Sequence, residues 1–227
     1  MSRRSKECVF SEPIFTETFI SDQDFTMAGK VLKAISGIKF LDLNSKPLYD
    51  RYFRYNRGGG WWVGPSKYEG FNDEQITDSE ISECLDELTE RIGVEENNLL
   101  IREKNLAPDQ TITNGSLHLD GPRLRINWLQ PGGRFKLASN IQTTEFWIPT
   151  PEGREQICSQ ASRIICRQVF RDFIFEDLMH YIQENPVLFD KVSPLPGQVT
   201  IHDSNTIHRE VSGSGGMRYL LAVASRG

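Results

Sequence analysis

With 227 residues, the chain is long enough for one compact domain with a real core, and its 38% apolar and 25% charged residues are those of an ordinary soluble protein. No apolar run reaches the ~20 residues of a membrane-spanning helix. Glu7 and Cys8 follow the basic N-terminus where a signal peptide needs an apolar stretch, so the expected setting is cytoplasmic. The formal charge of −5 argues against nucleic acid as the main partner, because proteins that bind a phosphate backbone usually carry a basic face.

In chain order, Ser21-Asp22-Gln23-Asp24 predicts a helix start, with Phe25, Ala28, Val31, Leu32 and Ile35 at helical spacing and Gly37 as the stop. The stretch 52–65 holds Gly58, Gly59 and Gly60 beside Trp61 and Trp62, and reads as a mobile loop carrying aromatics, Tyr68 following. A second helix is predicted over 78–92, with Ile81, Leu85, Leu88 and Ile92 on one face and Gly93 after its end. From about residue 97 the pattern turns strand-like: 99–101, 124–129 and 145–148 are short, rich in strand formers and bounded by turn residues. Residues 152–184 read mostly helical, closed by Asn185-Pro186. Two buried strands end the pattern at 198–201 and 217–223, joined by a turn-rich link over 203–216 and read as a closing pair. The organisation expected is one α+β domain over 1–227. It has a mainly helical part at 1–96, a β core at 97–150 and 194–225, and a helical insertion at 151–193.

The chemistry-bearing residues are few. Cys8, Cys84, Cys158 and Cys166 form no CxxC pair and lack zinc-site spacing, so they read as reduced core thiols. There are four histidines. His180 falls inside a helical stripe and reads as structural or exposed. His118-Leu119-Asp120 lies between two turn-like stretches, and in an extended segment residues i and i+2 share a face. An imidazole and a carboxylate can therefore reach one ion, with His202 or His208 as the third donor. Two histidines and one carboxylate on one face of an octahedron leave positions open for other ligands. Arg218 sits in the apolar run 217–223, where a guanidinium is costly unless an anion pairs with it, and a dicarboxylate supplies such an anion.

His118, Asp120, His208 and Arg218, ten residues past that histidine, together resemble the signature of the iron(II)/2-oxoglutarate-dependent dioxygenases. The resemblance covers roughly 97–150 and 194–225. It implies a double-stranded β-helix, or jelly roll, supported by helices, with the metal at the barrel mouth held by His118, Asp120 and His208. The family's spacing to the arginine favours His208 over His202, which is left to line the pocket or satisfy the core. The activity implied is a small-molecule oxidation, the substrate being an amino acid or specialised metabolite. It would use iron(II), 2-oxoglutarate and dioxygen and release succinate and carbon dioxide. Asp120 keeps the carboxylate that halogenases of this superfamily replace, so hydroxylation or a related oxidation is implied.

Arg218 would hold the co-substrate's far carboxylate, with Asn127 as a further contact. Arg123, Arg125 and Arg134 cluster near the same strand, and Arg134 with Trp61 and Trp62 are candidate substrate contacts, the tryptophans as part of a closing lid. A cupin-like metal enzyme that needs no 2-oxoglutarate is the alternative among enzymes. A non-catalytic jelly-roll binding module is the alternative outside catalysis.

Overall fold

The structure, a computed structural model, describes residues 10–37, 49–56, 60–65, 79–93, 99–111, 116–119, 134–167, 173–211 and 214–225. The elements in chain order are β1 (Ile14–Phe19), α1 (Asp22–Gly37), β2 (Tyr49–Asn56), β3 (Gly60–Pro65), α2 (Ser79–Ile92), β4 (Leu99–Thr111), β5 (Arg134–Ser139) and β6 (Thr144–Pro149). There follow α3 (Pro151–Arg167), α4 (Phe173–Glu184), β7 (Phe189–Val192), β8 (Gln198–Asp203), β9 (His208–Glu210) and β10 (Ser214–Ser225). Among the described residues no helix is long and apolar enough to cross a membrane.

Both expected N-terminal helices form, and each for a visible reason. Ser21 caps α1: its hydroxyl accepts the Asp24 amide at 3.2 Å while the Asp24 carboxylate accepts the Ser21 amide at 3.1 Å, a reciprocal capping box. Gly93, at φ 68°, follows the end of α2 in the left-handed conformation that glycine adopts at no steric cost.

Among the described residues all strand pairs are antiparallel and fall into two sheets. The large sheet runs β1-β8-β5-β10-β4-β2-β3 and the small one β7-β6-β9. His118 extends the small sheet by bridging to His208 on β9. From β4 onward the chain visits the large sheet, the His118 segment, β5, then β6 and β7 of the small sheet with α3 and α4 between them. It closes through β8, β9 and β10, again large, small, large. Eight segments wound through two facing sheets, changing sheet at every step except from β6 to β7, make a double-stranded β-helix, the jelly roll.

Two expectations need correction. The stretch read as a glycine-rich loop is two strands: β2 pairs with β3, Tyr55 opposite Trp61 and Arg54 opposite Trp62. Gly60 belongs to β3, while 57–59 lie outside the described residues. With β1 added, the part before residue 97 supplies three strands as well as two helices. Nor are β8 and β10 a pair, because β5 lies between them. The link from β8 to β10 itself carries β9 of the other sheet, and the two flanking strands lie in the large sheet with one strand between them. The expected strand at 124–129 lies outside the described residues.

Alternation along the strands builds two separate cores. Leu99, Ile101, Leu221 and Val223 of the large sheet pack with Phe25, Val31 and Leu32 of α1 and Leu85 and Leu88 of α2. Leu117, Leu119, Trp147, Phe189 and Ile207 of the small sheet pack with Ile157 of α3 and Ile182 of α4. Helices thus cover the outer face of each sheet, and the residues at intervening positions turn inward.

Candidate active site

Between the sheets lies a cavity of about 330 Å³. Its large-sheet wall comes from the positions that the helix-facing core leaves over: Leu100, Arg102 and Lys104 on β4, Phe135 and Leu137 on β5, His202 on β8, and Arg218 and Leu220 on β10. Its small-sheet wall includes His118, His208, Arg209 and Glu210.

The same alternation sets the two histidines. Leu117 and Leu119 are anchored in the core against the helices, which turns the residue between them to the cavity side. Ile207 does the same for His208. The His118 amide donates to the His208 carbonyl at 2.9 Å and the His208 amide to the His118 carbonyl at 3.1 Å, so the two backbones are locked in register. Their rings stand 4.3 Å apart, centre to centre.

Each ring is also oriented by its own chain. His118 Nδ1 lies 2.9 Å from the Ser116 carbonyl, and His208 Nδ1 lies 2.9 Å from the Thr206 carbonyl. A carbonyl only accepts, so each Nδ1 must carry the proton, and in the neutral imidazole Nε2 is then the nitrogen with the lone pair. This is the tautomer in which histidine binds a metal through Nε2, with the second nitrogen held by an outer partner.

Asp120, the third residue of the expected ligand set, lies outside the described residues, as do Asn127, Arg123 and Arg125. Among the described residues, no three His, Cys, Asp or Glu side chains gather as a metal site. The His202 ring is 5.1 Å from that of His208. It stacks on Phe135 at 5.3 Å and 22° and meets the edge of buried Phe146 at 5.4 Å. Those contacts make it part of an aromatic wall.

Arg218 is buried, with 3% of its surface exposed, and lines this same cavity. Its Nη2 lies 3.4 Å from Glu210 Oε1, and Lys104 Nζ lies 2.6 Å from both oxygens of that carboxylate. Lys104 and Glu210 were not singled out in the sequence. The signal for Lys104 was the alternation Leu100, Arg102, Lys104, and for Glu210 its place two residues past His208 on a strand.

The remaining candidates stand apart. Arg134 is exposed at the start of β5, outside the cavity lining. Trp61 and Trp62 are placed only as backbone positions of β3. His180 is exposed on α4 and pairs with Glu184 one turn on, as its place in a helical stripe suggested. On the small sheet Arg209 is tied to Glu145, which also accepts the Trp147 indole at 2.7 Å, so that network holds β9 against β6.

No protein-family model and no curated protein matches the sequence. Solved structures do. AviO1 from Streptomyces viridochromogenes superposes with a TM-score of 0.44 at 9% identity over 98% of this chain and 93% of its own. The epimerase SnoN, in complex with Fe3+, alpha ketoglutarate and nogalamycin RO, gives 0.46 at 8% over 98% and 81%. A prolyl-4-hydroxylase from Pseudomonas putida gives 0.39 at 10% over 95% and 92%. The likeness is one of fold alone. At these scores it adds nothing to the strand order, which assigns the jelly roll by itself.

Proposed function

We propose that the protein is an iron(II)- and 2-oxoglutarate-dependent oxygenase that hydroxylates or otherwise oxidises a small molecule, an amino acid or specialised metabolite, and releases succinate and carbon dioxide. One observation carries the reading. Two histidines in the Nε2-ligating tautomer and a buried arginine line one cavity between the sheets of a jelly roll.

The donor set fits the metal. Two imidazoles suit iron(II), and the carboxylate of Asp120 would supply the third ligand. When bound, the iron supplies activation of dioxygen at the expense of the 2-oxo acid. The chain's own contribution is positional. The Ser116 and Thr206 carbonyls fix the rings, Arg218 pairs with the far carboxylate of the co-substrate, and Phe135, Leu137 and Leu220 line the cavity with apolar surface. The proposal includes a small-molecule partner and a cytoplasmic setting.

The test is succinate release across a panel of candidate substrates, with and without iron. Succinate and an oxidised, non-halogenated product are expected only when iron, 2-oxoglutarate, dioxygen and the right substrate are all present, even in high chloride. Arg218→Ala should raise the 2-oxoglutarate requirement at least tenfold, as one charge-assisted pair is worth about 1.5–3 kcal/mol. Substrate oxidation without 2-oxoglutarate would contradict the proposal and point to the cupin-like alternative.

A further inference from the structure

β8 ends at Asp203 and β9 begins at His208, so residues 204–207 carry the chain from one sheet to the other. The Thr206 carbonyl that orients the His208 ring belongs to this connection, so the turn sets the direction in which it points. Asp203 builds that turn. Its carbonyl accepts the Thr206 amide at 3.1 Å, and its own amide donates to the Thr206 hydroxyl at 3.3 Å. Its carboxylate Oδ1 accepts the Asn205 amide at 2.7 Å, an Asx turn. Oδ2 accepts the hydroxyl of Ser11, 192 residues earlier in the chain, at 2.5 Å, and the Ser11 amide donates to the Asn205 carbonyl at 3.4 Å.

The turn needs this support. Asn205 is fully buried, and neither atom of its side-chain amide has a hydrogen-bond partner among the described residues, a cost that the bonds made by Asp203 and Ser11 offset. Ser11 is pinned in turn from the helical insertion. Arg154 of α3 donates through Nη1 to the Phe10 carbonyl at 3.0 Å and pairs through Nη2 with Glu12.

We propose that Asp203 is a positioning residue for His208. Residues 10–12, held by Arg154, strap its carboxylate in place, and the turn it forms keeps the Thr206 carbonyl against Nδ1. The inference deepens the proposed function and rests on it for the identity of the metal. A loosened turn frees the ring and lets its proton move to Nε2, which removes the lone pair that a metal would take. An asparagine at 203 keeps both side-chain bonds, its amide oxygen to the Asn205 amide and its amide nitrogen to the Ser11 hydroxyl, which accepts as well as donates.

The experiment has two readouts. One is solvent exchange of the histidine Nδ1 protons, followed by magnetic resonance in the iron-free protein with isotopically labelled histidine. The other is iron(II) affinity, measured anaerobically against a chromophoric chelator. Asp203→Ala should exchange the His208 proton about tenfold faster with the His118 proton unchanged, and should weaken iron(II) about tenfold or more. Selective loosening of His208 is a signature that general destabilisation does not give, and Asp203→Asn should restore both readouts. A His208 proton that keeps the wild-type rate in Asp203→Ala, or a His118 proton that speeds up equally, overturns the inference. So does unchanged iron affinity in that variant. If Asp203→Ala does not fold, Ser11→Ala decides: severalfold faster exchange at His208 alone supports the strap, and unchanged exchange overturns it. A wild-type protein that binds no iron(II) defeats the proposed function, while the exchange comparison still decides whether Asp203 holds the ring.

Discussion

His118 and His208 owe their chemistry to neighbours two positions back. Each Nδ1 meets a carbonyl of its own strand, so the backbone fixes both the ring plane and the proton, and no second side chain is required at the ring. Asp24 shows the same economy at a structural position. Burial pushes its carboxyl up, but hydrogen bonds from Ser21 and Arg91 together outweigh burial and hold it below its usual value. A carboxyl lowered on folding stabilises the protein above its unfolded value near pH 4, and that contribution is lost as pH falls through the folded value. Asp24→Asn should therefore cost about 1 kcal/mol at pH 7, read by denaturant titration, and progressively less below about pH 4. A deficit that stays constant through that range would place the effect in packing and not in charge.

At the scale of elements, periodicity was legible wherever a whole segment buried one face. Ile81, Leu85 and Leu88 gave α2, and Leu221 and Val223 gave the last strand, because each run meets a single core. The strands that were missed break that condition. β1 is an edge strand with Ile14 and Phe19 exposed, and in β5 the charged Arg134 and Lys136 interrupt Phe135 and Leu137. The pair β2 and β3 was hidden by weighing Gly58, Gly59 and Gly60 above the strand-forming Tyr52, Phe53, Tyr55, Trp61, Trp62 and Val63 around them.

Helix glycines carry a sharper prediction. Alanine in place of glycine in a helix usually stabilises by about 0.5–1 kcal/mol. At Gly153 of α3, however, a Cβ would lie 2.2 Å from the Leu188 carbonyl oxygen, a backbone atom that also accepts the Thr150 amide at 3.0 Å. Gly153→Ala should instead destabilise by about 1–3 kcal/mol, measured by thermal or chemical unfolding. Neutral or positive stability would show that α3 can lift from that contact at no cost.

For the molecule as a whole, the sandwich separates stability from chemistry. Each sheet spends its outward positions on a helix-backed core, and the inward positions are left to histidines, arginines and a lysine that no core would accept unpaired. The His-x-Asp spacing and the buried arginine were legible because both stand in short local motifs. Lys104 and Glu210 were not legible, since they meet only when strands 106 residues apart in the chain face each other. The central claim is that the cavity holds one metal ion on His118 and His208 with Asp120. The direct measurement is anaerobic iron(II) binding to the wild type and to the alanine variants of His118, Asp120, His202 and His208. One iron per chain is predicted, lost on changing His118, Asp120 or His208 and kept on changing His202. Iron retained at wild-type affinity in His208→Ala but lost in His202→Ala would contradict the account.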